Sequence, residues 1–153
     1  MNKPIEIIRK TREHVLKLIE GLSIEELNKV PANFNNNIIW NMGHMVAAQQ
    51  GVCYRRAGLE LHITPEFFEL YKPESKPERF ITVQELEEIK TLFFSTIDFL
   101  EQDYQNGCFD SYVAWTTRYG VAIDGIDDAI TFLPFHEGMH TGYIMALKRA
   151  IKS

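Results

Sequence analysis

The chain has 153 residues, 45% of them apolar, and a formal net charge of −5. That size and apolar content suit one domain with a real core, and an acidic chain with no basic patch is not built for a duplex phosphate backbone. The only cysteines, Cys53 and Cys108, lack CxxC spacing and suit a reducing cytoplasm, charges interrupt the N-terminal MNKPIEIIRKTREHV as no signal peptide allows, and no apolar run approaches the roughly eighteen residues of a membrane span.

Residues 4 to 21 carry apolar groups at Ile8, Val15 and Ile19, continued by Leu22 just beyond, with a parallel row at Ile7, Thr11, His14 and Leu18. This spacing predicts an amphipathic helix with Pro4 in its first turn and Gly21 near its end. Ser23 and Glu26 in SIEEL have capping-box spacing. Pro31 and the run NFNNN then break the chain before a second helix, about 37 to 57, that ends near Gly58. A long connection over 58 to 81 contains Pro65, Pro73 and Pro77, with one short helix at TPEFFELY. The third helix opens at Thr82, whose spacing to Glu85 repeats the capping box, and runs to about Asn106. Its core row is Val83, Leu86, Ile89, Phe93, Ile97 and Leu100.

The segment CFDSYVAWTTRYGVAIDG is a second long connection with room for a brief extended stretch. The last helix runs from about Ile126 to Ile151. Asp127 and Asp128 in its first turn and Lys148, Arg149 and Lys152 in its last complement the helix dipole. Pro134 predicts a kink, because it cannot bond to the carbonyl of Ile130. Four long helices predict an all-α four-helix bundle formed by residues 1–153 as a single domain, with at least one long connection crossing over it.

In the last helix, His136 and His140 stand four apart, so they differ by only about 40° around the axis and can grip one ion. The core row there reads Ile126, Ile130, Leu133, Glu137, His140, Ile144, Leu147 and Ile151, so two imidazoles and a carboxylate turn inward among aliphatic side chains. Buried polar groups need partners, and a divalent ion would satisfy both rings. The bland alternative is a pair of core-edge histidines bonded to neighbours such as Glu137.

HExxH is also the signature of zinc peptidases, but these take a third ligand downstream, and TGYIMALKRAIKS after His140 has no His, Asp or Glu. The third ligand must come from upstream. His62 falls in the proline-rich connection and reads as an exposed surface residue. His14 reads as a boundary residue of the first helix. His44 lies in the second helix beside Trp40, Gly43, Ala47, Ala48 and Gly51, small residues that let a neighbouring helix come close, and it is the best third ligand. Cys53, about 180° around the same helix, is excluded.

Trp40, Gly43 and His44 form W-x-x-G-H, and His136, His140 and Gly142 form H-x-x-x-H-x-G. Together, in this order and separated by a third helix, they resemble the DinB-like superfamily, and SIEELNKVP and GYIMALKR fit it as well. The resemblance implies an up-down-down-up four-helix bundle and a divalent ion, zinc or nickel, held by the histidines that match His44, His136 and His140. It implies metal-dependent relatives that are thiol S-transferases, maleylpyruvate isomerases using low-molecular-weight thiols, or hydrolases, several of them homodimers.

Three neutral imidazoles leave an ion its full charge and an open position, where a water or a thiol would lose its proton near neutral pH. Glu137 has three readings: a general base, an acceptor for a ligand ring, or a partner for a basic side chain at the bundle edge. Trp115, Arg118 and Tyr119 in the second connection offer stacking surface and a cation for an anionic small-molecule substrate; ordinary loop packing is the alternative. Phe67, Phe68 and Tyr71 cover the core or a dimer interface. The leading expectation is a small metal-dependent transferase or hydrolase. The rivals are a non-catalytic bundle with a structural metal and, remotely, the zinc peptidase.

Overall fold

The computed structural model describes residues 2–152. The chain is mostly helical: α1 (Lys3–Leu18), α2 (Ile24–Asn28), α3 (Ile38–Cys53), a 3-10 turn (Arg55–Ala57), α4 (Pro65–Tyr71), α5 (Val83–Gln105) and α6 (Ile126–Lys152). Before α6, β1 (Trp115–Thr116) and β2 (Ala122–Ile123) form a small antiparallel hairpin with Trp115 opposite Ile123.

Side chains set the helix starts. Asn2, Ser23, Asn37, Thr64 and Thr82 each accept a bond from an otherwise unpaired first-turn N–H, a contact worth about 1 kcal/mol. Ser23 with Glu26 and Thr82 with Glu85 complete both bonds of their capping boxes. The second helix is shorter than its pattern suggests: α3 stops at Cys53, and a 3-10 turn carries the chain to Gly58, whose φ of 70° turns it away.

Helix α1 packs on α5 and α6, and α3 packs on the same two helices and on α4. One apolar cluster gathers Val15, Met42, Met45, Phe93, Ile144 and Leu147. The other gathers Ile5 and Ile8 from the start of α1, Cys53 from the end of α3, Leu100 from late α5, and Ile130 and Leu133 from the start of α6. The expected core rows of α5 and α6 are buried, except that Val83 is exposed and Ile126 and His140 are half-buried. Phe68 and Tyr71 of α4 are buried in the first cluster.

Helix α3 differs from the others in having no solvent face: every residue from Ile38 to Gln50 is buried. A helix enclosed all round is expected to be apolar, yet this one encloses Asn41, His44, Gln49 and Gln50. A second polar feature lies across the bundle. Arg12 of α1, fully buried, donates from Nε to Glu137 Oε1 of α6 at 2.9 Å and from Nη1 to the Phe93 carbonyl of α5 at 3.0 Å. Its Nη1 also reaches Thr96 Oγ1 at 3.2 Å, and Nη2 donates to the Met45 carbonyl of α3 at 3.1 Å and again to Glu137 Oε1. One guanidinium thus ties all four long helices together.

Candidate metal centre

His44 comes from the middle of α3, and His136 and His140 come from successive turns of α6. One ligand nitrogen from each lies within 4.8 Å of the other two. The rings sit at centroid distances of 5.2 Å (His44–His136), 4.6 Å (His44–His140) and 4.5 Å (His136–His140). Among the described residues, no cysteine or carboxylate joins this set.

Two of the rings are oriented by their other nitrogen. His44 Nδ1 lies 2.8 Å from the Tyr71 carbonyl of α4, which can only accept, so Nδ1 carries the proton and Nε2 keeps its lone pair. His140 Nδ1 lies 2.8 Å from Asn41 Oδ1. The Asn41 amide is itself fixed, because its Nδ2 donates to Asn36 Oδ1 at 3.0 Å and to the Asn37 carbonyl at 2.8 Å. His140 therefore donates to the amide oxygen and also presents Nε2. No hydrogen bond holds the His136 ring among the described residues.

The electrostatics favour neutral rings. Burial lowers the pKa of His44 against a smaller opposing effect of the Tyr71 carbonyl, and the Arg118 charge lowers it further. Burial, then the His140 and His44 rings, then Arg12 and Arg118, bring His136 down to about 2. Burial, then His44, brings His140 down to about 3. At neutral pH all three carry free lone pairs, as a transition-metal ligand must. Converging, neutral nitrogens, two of them on oriented rings, fit a divalent ion, with His44, His136 and His140 as its holders.

The W-x-x-G-H residues have separate physical roles. Trp40 lies flat on His44, with centroids 4.7 Å apart and planes 8° apart, and its Nε1 donates to Ser75 Oγ at 3.0 Å. Gly43 leaves room for an aromatic ring: a Cβ there would overlap the Tyr71 ring. Small residues on this face were expected to admit a neighbouring helix backbone. Instead Gly43 admits the Tyr71 ring, and the Cβ position of Gly51 lies 3.7 Å from Phe68, so α4 packs along this side and brings the Tyr71 carbonyl to His44. Gly142 has nothing within 4 Å of its Cβ position, and no contact explains it.

Glu137 lies on the inward face, as its row requires, but its carboxylate is turned to Arg12 rather than to a ligand ring. A basic partner at the bundle edge was one of its three readings; the partner is Arg12, and the pair is in the interior, with side chains 0% and 1% exposed. Burial raises the Glu137 pKa while Arg12 opposes it, and Oε2 has no partner among the described residues.

Trp115 is engaged elsewhere. Its Nε1 donates to Tyr112 Oη at 2.9 Å, and the Arg56 guanidinium lies 4.3 Å from its ring centre. Tyr119 packs edge-on to Phe135 at 5.2 Å and donates to Met139 Sδ at 3.4 Å, beside the α6 histidines. Arg118 is exposed on the same turn. His62 is not the exposed residue its connection suggested: it is half-buried, stacks on Phe99 at 4.1 Å and bonds Asp103 at 3.2 Å. His14 is exposed and lies outside the cluster.

Sequence reasoning missed Arg12 and Asn41. Arg12 continues the Ile5, Ile8, Val15 row at helical spacing, and Asn41 stands three residues before His44, on the same face. Tyr71 acts through its backbone, which leaves no side-chain signal.

An all-α protein with three converging histidines on two neighbouring helices is a candidate metal-site protein. The model of the DinB superfamily matches residues 7–144 of this chain, and the chain belongs to that superfamily. No curated protein gives a match.

Proposed function

We propose that this protein is a metal-dependent enzyme of the thiol S-transferase type, with zinc or nickel held by Nε2 of His44 and His140 and by the ring of His136. The observation that carries the reading is the convergence of three ligand nitrogens with no fourth histidine, cysteine or carboxylate beside them among the described residues. A structural site closes its coordination shell with protein atoms, whereas a catalytic one leaves room for a substrate. Such an ion, when bound, supplies the positive charge that deprotonates a thiol or a water at neutral pH.

This chain's own residues favour a thiol over a water. A hydrolase of the peptidase kind needs a carboxylate beside the ion to take the water's proton, and Glu137, whose Oε1 accepts from Arg12, does not join the histidine cluster. A thiol is acidic enough to ionise without a neighbouring base once it meets the positive site. The thiol comes from outside, because Cys53 is fully buried, and neither it nor the exposed Cys108 joins the histidine cluster. Its sulfur forms a bond to an electrophilic carbon of the second substrate. The leaving group departs with its electron pair, and the thiol proton goes to solvent.

The bundle runs up-down-down-up in this reading. Support comes from the second apolar cluster, where the starts of α1 and α6 meet the ends of α3 and α5. The reading takes the chain as one cytoplasmic domain that forms a homodimer. Exposed Phe135, Tyr143 and Met145 on the outer side of α6 support the dimer, and sedimentation equilibrium tests it.

Elemental analysis of purified wild type beside His44→Ala tests the metal, with about one ion per chain expected only in wild type. Turnover with thiols, electrophiles and activated esters, lost in His140→Ala, tests the catalysis. A stoichiometric metal with no turnover and a large fall in melting temperature on chelation would favour the structural alternative.

A further inference from the structure

The hairpin carries an arginine next to a tyrosine that packs on the stretch of α6 bearing His136 and His140. Thr117 and Gly120 close a turn, with Gly120 N–H donating to the Thr117 carbonyl at 2.9 Å and Thr117 N–H to the Val121 carbonyl at 2.9 Å. Thr117 Oγ1, buried beneath, accepts from Tyr119 N–H and Val121 N–H at 3.2 Å each, so the tip is internally braced. Tyr119 then fastens this tip to α6 through Phe135 and Met139, the residues that immediately precede His136 and His140.

Arg118, between these anchors, is exposed and has no hydrogen bond or ion pair among the described residues. Its charge is nevertheless felt at both His44 and His136. Among the described residues no carboxylate joins the three histidines, although the chain as a whole carries −5. The nearest one in sequence, Glu137, already faces Arg12.

We propose that Arg118 determines specificity for an anionic substrate, a small thiol that carries a carboxylate, by pairing with the carboxylate while the thiol occupies the three-histidine centre. The proposal rests on the metal-site reading above. A guanidinium with no other partner offers a planar fork that matches a carboxylate, and its pre-organised plane loses less freedom per hydrogen bond than an ammonium does.

The test uses cobalt-loaded protein, whose visible absorption reports first that the ion is bound and then that a thiol has reached it. Wild type, Arg118→Gln and Arg118→Lys are titrated with 3-mercaptopropionate, 2-mercaptoethanol and cysteamine, which share a thiol but carry negative, neutral and positive tails. Wild type is expected to bind 3-mercaptopropionate more tightly than 2-mercaptoethanol, with cysteamine weakest. Arg118→Gln should cut the ratio of the first two affinities by roughly fivefold, Arg118→Lys should keep most of it, and added salt should shrink it in wild type. An unchanged ratio in Arg118→Gln, with the cobalt spectrum intact, overturns the role of Arg118 and leaves the metal centre standing. Absence of any cobalt spectrum in wild type overturns the metal-site reading, and this proposal with it.

Discussion

Replacing Glu137 by Gln preserves the shape of the side chain but strands the Arg12 guanidinium in the interior. Arg12 is fully buried and makes five hydrogen bonds, two of them to Glu137 Oε1. The backbone and threonine partners that remain supply no counter-charge. Removing one member of such a pair costs about 3–5 kcal/mol, most of it the burden of the orphaned charge. In a chain of this length that lowers the melting temperature by on the order of 10 °C. Arg12→Met should cost a similar amount, because it strands the carboxylate. Combining Arg12→Met with Glu137→Gln removes both charges, so the double variant should lie well short of the sum of the singles. Urea unfolding of the four proteins, read as a shift of midpoint at constant slope, gives the coupling directly. Either single variant costing less than about 1 kcal/mol, or strict additivity in the double, would refute the central role assigned to this pair.

Gly43→Ala should push against the Tyr71 ring, cost about 1–3 kcal/mol and disturb the carbonyl that orients His44; unchanged melting and metal affinity would contradict the packing described. Asn41→Ala removes the acceptor for His140 Nδ1, so metal affinity against a coloured chelator should fall about 10- to 100-fold with helical content retained. An equal affinity would count against that orientation. In metal-free protein, His136 and His140 have folded pKa values of about 2 and about 3, below the 6.5 of an unfolded histidine. The unfolded chain therefore binds more protons in that interval, and stability is full above pH 6.5 and falls as the pH drops toward 3. The urea midpoint should fall more between pH 7 and pH 5 in wild type than in His136→Ala/His140→Ala. Equal falls would defeat the assignment.

The parts most legible in the sequence repeat with helical period. The row Leu86, Ile89, Phe93, Ile97, Leu100 needs only the 3.6-residue turn to be recognised, and Thr82 with Glu85 marks its start by local chemistry alone. The histidine triplet was legible because two members share one helix face and the third sits among residues of unusual size for its helix. The parts that stayed hidden depend on contacts between distant segments. Arg12 reads as a surface charge until three other helices close over it. Tyr71 looks like a loop aromatic, and no pattern of side chains announces that its carbonyl reaches a ring 27 residues away. Glu137 was placed on the right face, but a face does not say which of two inward neighbours a carboxylate will choose.

The flat stacking of Trp40 on His44 gives this protein a built-in optical gauge. An indole stacked on the His44 ring should lose emission if a paramagnetic cation such as nickel binds the proposed centre. The chain holds just two tryptophans, and the other, Trp115, stands under Arg56. With Trp115 changed to Phe, the remaining glow comes from the histidine cluster alone, and occupancy can be followed in unlabelled protein in real time.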